Sequence, residues 1–499
     1  MSGDRLSYRF GPLEKRGLLG PIRAGQAVTL LAGAVAAVIA IDVAPSAGGA
    51  LAGTVLFALT LSVGLVPVAG RTADQWLPVA LKFVSGEVSL RRGRKHRFIS
   101  AVPGAGMRCR GERRTPLDPP SHIPPPVGEV RIQELTYHGR AVGILSERRS
   151  RRLTVVLACR AAPYALLDPD AQERRLSRWG LVLSASADTA VRRLQWIERT
   201  RPGRADQLAR WLSEAREPSI PLRGTPIVES YLELISGSAR VAQEHEILIV
   251  LQVDANRVRE RARPSLELVL LEQAERTAQA LEAADIKVLG ALAPGQLARA
   301  LRIAFDPFSG AEMAALETVD RERNGISEVN AWPLGAREHW DRYQSDGAHH
   351  ATYWIGGWPR VDVSPMFMDA LLGSSDVVRT VSVTIEPISP ARSTRDVEAA
   401  VTRDRADREL RRRFGQGETA RQHQAAEAAV RREAELAAGH AEVRLAGFVT
   451  VSAREENELR RACSLVLEHA ARARLELHRM YGQQAEAFTF TLPLARGLR

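Results

Sequence analysis

His349 and His350 stand side by side in this 499-residue chain. Two imidazoles invite a metal-ligand reading, but neighbours on a strand point to opposite faces and cannot readily grip one ion. A structural or polar surface role is expected for both. His339 has no carboxylate partner at a useful spacing, and Cys159 sits in a predicted buried strand without a nearby His. Arg148, Arg149, Arg151 and Arg152 surround a predicted turn and offer contacts to phosphate, although solvated turn arginines are the commoner case. Asp404, Arg405, Asp407 and Arg408 alternate on a predicted helix, which is ordinary surface pairing.

The motifs of common chemistry are missing. There is no GxxxxGK(S/T) phosphate cradle, and HExxH, GxSxG and SxxK do not occur. The turn at Gly356-Gly357 lacks the spacing of a dinucleotide fingerprint. No catalytic, cofactor-binding or metal-ligating set emerges, so the expected role is a scaffold, adaptor or docking protein and not an enzyme.

The basic residues are almost all arginine, with lysine only at positions 15, 82, 95 and 287. A net charge of +11 and a pI near 10.1 favour an anionic contact: phospholipid, nucleic acid or an acidic partner. Aromatic residues make up only 5%, which argues against base-stacking platforms. Cys109, Cys159 and Cys463 are odd in number and far apart, consistent with a reducing compartment.

What must position these residues begins with an anchor. The first 23 residues carry Lys15, Arg16 and Arg23. Residues 24–70 hold two uncharged apolar runs, AGQAVTLLAGAVAAVIAI and ALAGTVLFALTLSVGLVPVAG, each near the roughly 20 residues that cross a bilayer. The turn-rich DVAPSAGG between them predicts an antiparallel hairpin, with small residues such as Gly33 and Gly53 allowing close packing. Basic flanks on both sides predict two spans with both termini cytoplasmic. Residues 71–98 read as a juxtamembrane amphipathic segment, with Trp76 and Phe83 at the headgroup layer and arginines toward anionic lipid, or as a helix packed on the cytoplasmic body. Residues 99–128 read as a Pro-rich linker.

Residues 129–499 read as a large cytoplasmic α+β domain. A strand meander is expected from Val130, with a turn at His138-Gly139. Pro169 opens a predicted helix, and Val191–Glu198, Glu246–Asp254, Val377–Ile388 and Glu442–Ser452 read as strands. Predicted helices cover Pro226–Ser236, about 264–284, Pro294–Ile303, Met366–Leu372, Ala391 to about Gly439 and Arg454–Tyr481. Ala487–Leu492 reads as a closing strand. Leu153–Arg178 and Thr380–Leu410 share a strand–turn–helix pattern, which admits two similar subdomains.

The hairpin with its Trp-containing segment resembles the small PrgI-like inner-membrane subunit of type IV secretion and conjugation systems. LQWIERTRP (Leu194–Pro202) and GQQAEAFTFTLPL (Gly482–Leu494) resemble parts of the N-terminal, non-motor domain of the conjugation ATPase family. The resemblance implies an actinobacterial fusion of the two without the motor. It further implies a non-catalytic component that docks a separate secretion ATPase among other inner-membrane subunits, as an oligomer within a complex. Two alternatives stay open: a type VII secretion membrane component, which has the same anchor and length, and a membrane-tethered nucleic-acid binder.

Overall fold

The computed structural model describes residues 24–65, 70–90, 97–99, 123–128, 130–147, 150–161, 164–202, 243–258, 265–309, 331–359, 363–374, 376–389, 392–395 and 441–498, with a few isolated positions between them. The fold is α+β.

Two apolar helices open the chain, α1 (Ala24–Val43) and α2 (Ala47–Leu65), joined by three residues. Gly33 lies against Thr60, where a Cβ would stand 2.4 Å from its methyl carbon. Gln26 donates to the carbonyl of Gly64 at 3.2 Å, tying the open ends of the pair. Among the described residues one helix, Gly25–Val43, is long and apolar enough to cross a membrane; the apolar part of α2, Ala47–Ser62, is shorter. The expected second span is helical over Ala47–Leu65, and residues 66–69 of the anticipated run lie outside the described residues. Helix α3 (Ala73–Leu90) follows, and β1 (Arg97–Ile99) leads into the body. Most of the Pro-rich linker, 100–122, lies outside the described residues.

The body is one sheet, thirteen strands among the described residues, built from two halves with the same path. The first half runs β2 (Val130–Tyr137), β3 (Arg140–Glu147), β4 (Arg152–Ala161), α4 (Pro169–Ser186), β5 (Val191–Pro202), β6 (Gln243–Asp254), α5 (Leu266–Ala283), β7 (Ile286–Ala291) and α6 (Pro294–Phe305). The second runs β8 (Gly335–Glu338), β9 (Tyr343–Ser345), β10 (Ala348–Gly357), α7 (Asp369–Leu372), β11 (Arg379–Pro387), β12 (Val443–Ala453), α8 (Glu456–Arg472), β13 (Glu476–Arg479) and α9 (Gln484–Phe488). Strand order is β2-β3-β4-β6-β5 in one half and β8-β9-β10-β12-β11 in the other, with β7 on β4 and β13 on β10. β5 and β11 pair antiparallel at the centre, so one half is turned about the seam relative to the other. A left-handed residue ends both long helices before the returning strand: Asp285 (φ 59°) after α5 and Arg474 (φ 57°) after α8.

Helices α4 and α5 cover one face of the first half, and α7 and α8 the matching face of the second. The opposite face carries a single core shared by both halves, under α6, α9 and the closing residues. With both faces covered, β6 reads as the near-continuous apolar run EILIVLQVD and not as an alternating strand.

Several expectations need correction. The repeat is real, but β4–α4 corresponds to β10–α7 and not to Thr380–Leu410. The helix expected over Arg454–Tyr481 stops at Arg472, because its apolar stripe (Leu459, Cys463, Val466, Ala470) ends and Leu475 and Leu477 alternate with period two. The helix expected from Met366 is limited to Asp369–Leu372. The expected closing strand is instead α9, a 3-10 turn (Thr489–Thr491) and an extended strap. The helices expected at 226–236 and 391–439 lie almost wholly outside the described residues.

Candidate interaction site

The central strand β5 carries polar residues facing the shared core: Arg193, Gln195 and Arg199 are all buried. Gln195 and Arg193 reach the main chain of the closing segment, and Arg199 donates to the Ala300 carbonyl of α6 at 2.9 Å. Gln195 Nε2 donates to the carbonyls of Phe490 and Leu492 at 3.0 Å, while its Oε1 accepts from the Ala495 amide at 2.8 Å. Arg193 donates to the carbonyls of Ala495 (3.3 Å) and Leu498 (2.7 Å). Thr384 of β11 donates to the Arg496 carbonyl, and Gln252 of β6 to that of Leu494. The strap thus crosses the seam and takes hydrogen bonds from both halves. Leu492, Leu494 and Ala495 of the strap are themselves buried. Arg496 returns to the first half, pairing with Glu147 and the carbonyls of Pro126 and Val127.

The histidines separate as their strand position requires. His350 is fully buried, its Nδ1 2.8 Å from Ser452 Oγ and its Nε2 3.0 Å from the Phe305 carbonyl and 2.9 Å from Ser345 Oγ. The carbonyl can only accept, so Nε2 carries the proton and Ser452 donates to Nδ1. Burial pushes His350 down to about 3, keeping it neutral. Burial also lowers His349 and His339, with Arg342 acting in the same direction. Cys159 and Cys463 are buried in separate cores, and burial pushes the Cys159 thiol up to about 12, far from a reactive thiolate. Arg152 pairs with Asp254, which also takes Arg192 at 2.5 Å. Cys109, Arg148, Arg149 and the Asp404–Arg408 set lie outside the described residues. Among the described residues no group of three or more His, Cys, Asp and Glu converges as a metal site would.

Beside the seam a cleft of about 500 Å³ is lined by Asp188, Arg257, Glu386, Arg392 and Arg444. Glu386 is held by Arg257 at 3.0 Å and Arg193 at 3.2 Å, so the lining is a mixed ionic network.

The face toward the anchor is more distinctive. Trp76 of α3 stacks on Trp340 with centroids 5.9 Å apart, and Phe83 meets the same indole edge-on at 5.0 Å. Tyr481 lies 6.2 Å from Trp76. Arg71 covers the Trp76 ring and donates to Gln483 at 3.0 Å. Lys82 pairs with Glu486 at 3.2 Å, an exposed contact of small energetic weight. Val79 fits over Gly482, whose φ of 67° and close approach to Trp340 both demand glycine. The Trp-bearing segment is therefore a helix docked on the second half. The sequence showed its apolar spacing but not its aromatic partners, which lie more than two hundred residues away.

The strap was missed as a structural element, though a signal existed. Buried strands rarely place Arg and Gln on a core-facing side; β5 does so at Arg193 and Gln195, which hydrogen-bond the main chain of the closing segment.

A search of curated proteins gives no match for this chain. The model of one family, EccE, described as "Putative type VII ESX secretion system translocon, EccE", matches residues 241–355. That stretch runs from β6 through α5, β7 and α6 to β8, β9 and most of β10. In it, the chain is similar to a membrane component of a bacterial secretion system.

Proposed function

We propose that the protein is a membrane-anchored, non-catalytic component of a bacterial secretion translocon of the type VII class. Its α1–α2 anchor would hold the two-half body on the cytoplasmic side, where it would dock other membrane subunits and a separate motor ATPase. The observation that carries the reading is the family match over residues 241–355, which include strands and helices central to the first half. The apolar helix at the start of the chain supports it, as does the wiring of His350 and Cys159 into cores and not into a cleft.

The type IV reading rests on LQWIERTRP and GQQAEAFTFTLPL. The first is the central strand of the sheet, and the second includes α9 and part of the strap that the strand grips. Packing accounts for the residue types in both, so they favour type IV less than the family match favours type VII.

The test is a strain lacking this chain. Quantitative mass spectrometry of the culture medium should show loss of the proteins exported by the type VII-class system, restored by the intact gene. An unchanged set of exported proteins would refute the role.

A further inference from the structure

We propose that α3 is a two-sided helix that lies on the lipid surface and sets the second half of the body against the membrane. This rests on the anchored reading above and adds an orientation to it.

Helix α3 turns Trp76, Val79 and Phe83 toward the body, a stripe at helical spacing that meets Trp340, Tyr481 and Gly482. A second stripe at spacing i, i+4, i+7 points elsewhere: Leu77 is 62% exposed, Leu81 60% and Val84 52%. Two separate apolar stripes on one short helix are more than docking on the body needs. Exposed apolar side chains grouped on one face mark an interaction surface.

What covers this stripe is indicated by what adjoins it. α3 starts eight residues after α2 ends and touches both anchor helices. Gly25, near the start of α1, lies so close to Asp74 that a Cβ would stand 2.6 Å from its carboxylate. The two helices that α3 touches also expose apolar side chains, among them Val28, Leu31 and Val38 of α1 and Leu51 and Leu59 of α2. A helix with such a stripe beside an anchor buries it at the boundary between headgroups and acyl chains. The geometry then brings the β8–β9 turn, which carries Trp340, and the link from β13 to α9 next to the membrane.

The test places a photo-crosslinking amino acid at Leu81 in the full chain, reconstituted in nanodiscs of phosphatidylcholine and phosphatidylglycerol. Val38 on α1 and Leu467 on α8 serve as references. Lipid adducts at Leu81 and Val38, with none at Leu467, are expected. Adducts at Val38 but not at Leu81 would overturn the surface role of α3 and leave the anchor standing. Adducts of Leu81 to protein would overturn it in favour of a subunit interface. No lipid adduct at either position would remove the anchored reading itself, and this inference with it.

Discussion

Gln195 Nε2 and Ser382 Oγ meet at 2.8 Å across the seam where the two halves of the sheet join. Both side chains also donate to the carbonyl of Phe490, so the 3-10 turn that leads into the strap is held from both sides of the seam. Gln195 also accepts the Ala495 amide at 2.8 Å in a buried setting. Replacing Gln195 with Leu leaves the amide orphaned and is expected to cost about 2 kcal/mol, the penalty for an unmet buried donor. Denaturant unfolding of the purified chain in detergent measures this, and proteolysis should release the segment from Thr491 onward sooner than in the wild type.

His350 gives a pH dependence with a definite sign. Its ordinary value near 6.5 falls to about 3 in the fold because burial disfavours the imidazolium. Above pH 6.5 both states are neutral and the residue's stabilising contribution is fully present. As pH drops below that, the unfolded chain takes a proton that the fold refuses, so stability declines by about 1.4 kcal/mol per pH unit toward pH 3. Between pH 7.5 and 5.0 the wild type should lose about 2 kcal/mol more than His350→Asn. Equal losses in the two proteins would show that the ring is not shielded.

Gly482 controls the docking of α3. A side chain there meets the Trp340 ring at 2.6 Å and Val79 at 2.9 Å, and the backbone is left-handed. Gly482→Val should cost at least about 2 kcal/mol locally. Hydrogen exchange is expected to rise along Ala73–Leu90, while the central strands β5 and β11 stay protected.

Gly180 offers the opposite case. It is exposed in the middle of α4, with open space where a Cβ would stand. Gly180→Ala should raise stability by up to about 1 kcal/mol, since alanine confines the unfolded chain and favours the helix. The midpoint of unfolding is the readout.

Legibility of the fold followed the range of the interactions. Strands such as β6 and β12 and helices such as α5 announce themselves through local apolar periodicity. β7 and β13 were hidden because each is short and abuts a helix of similar composition. The repeat was visible only as a faint pattern, because it resides in strand order and in paired left-handed residues, Asp285 and Arg474, not in shared residue identities. The apolar helices α1 and α2 were legible from composition as two uncharged runs. That His349 and His350 point to opposite faces of β10 could be read from strand geometry alone. The serine partners of His350, at positions 345 and 452, could not be read without the pairing of β9, β10 and β12.

The central claim is that this body works inside a secretion translocon at the membrane. Crosslinking in native membranes followed by mass spectrometry tests it most directly. Crosslinks are expected from residues 241–355 to other membrane subunits of a type VII-class system, together with its motor ATPase. Crosslinks confined to the chain itself, or to nucleic-acid-binding proteins with no translocon subunit among them, would contradict it.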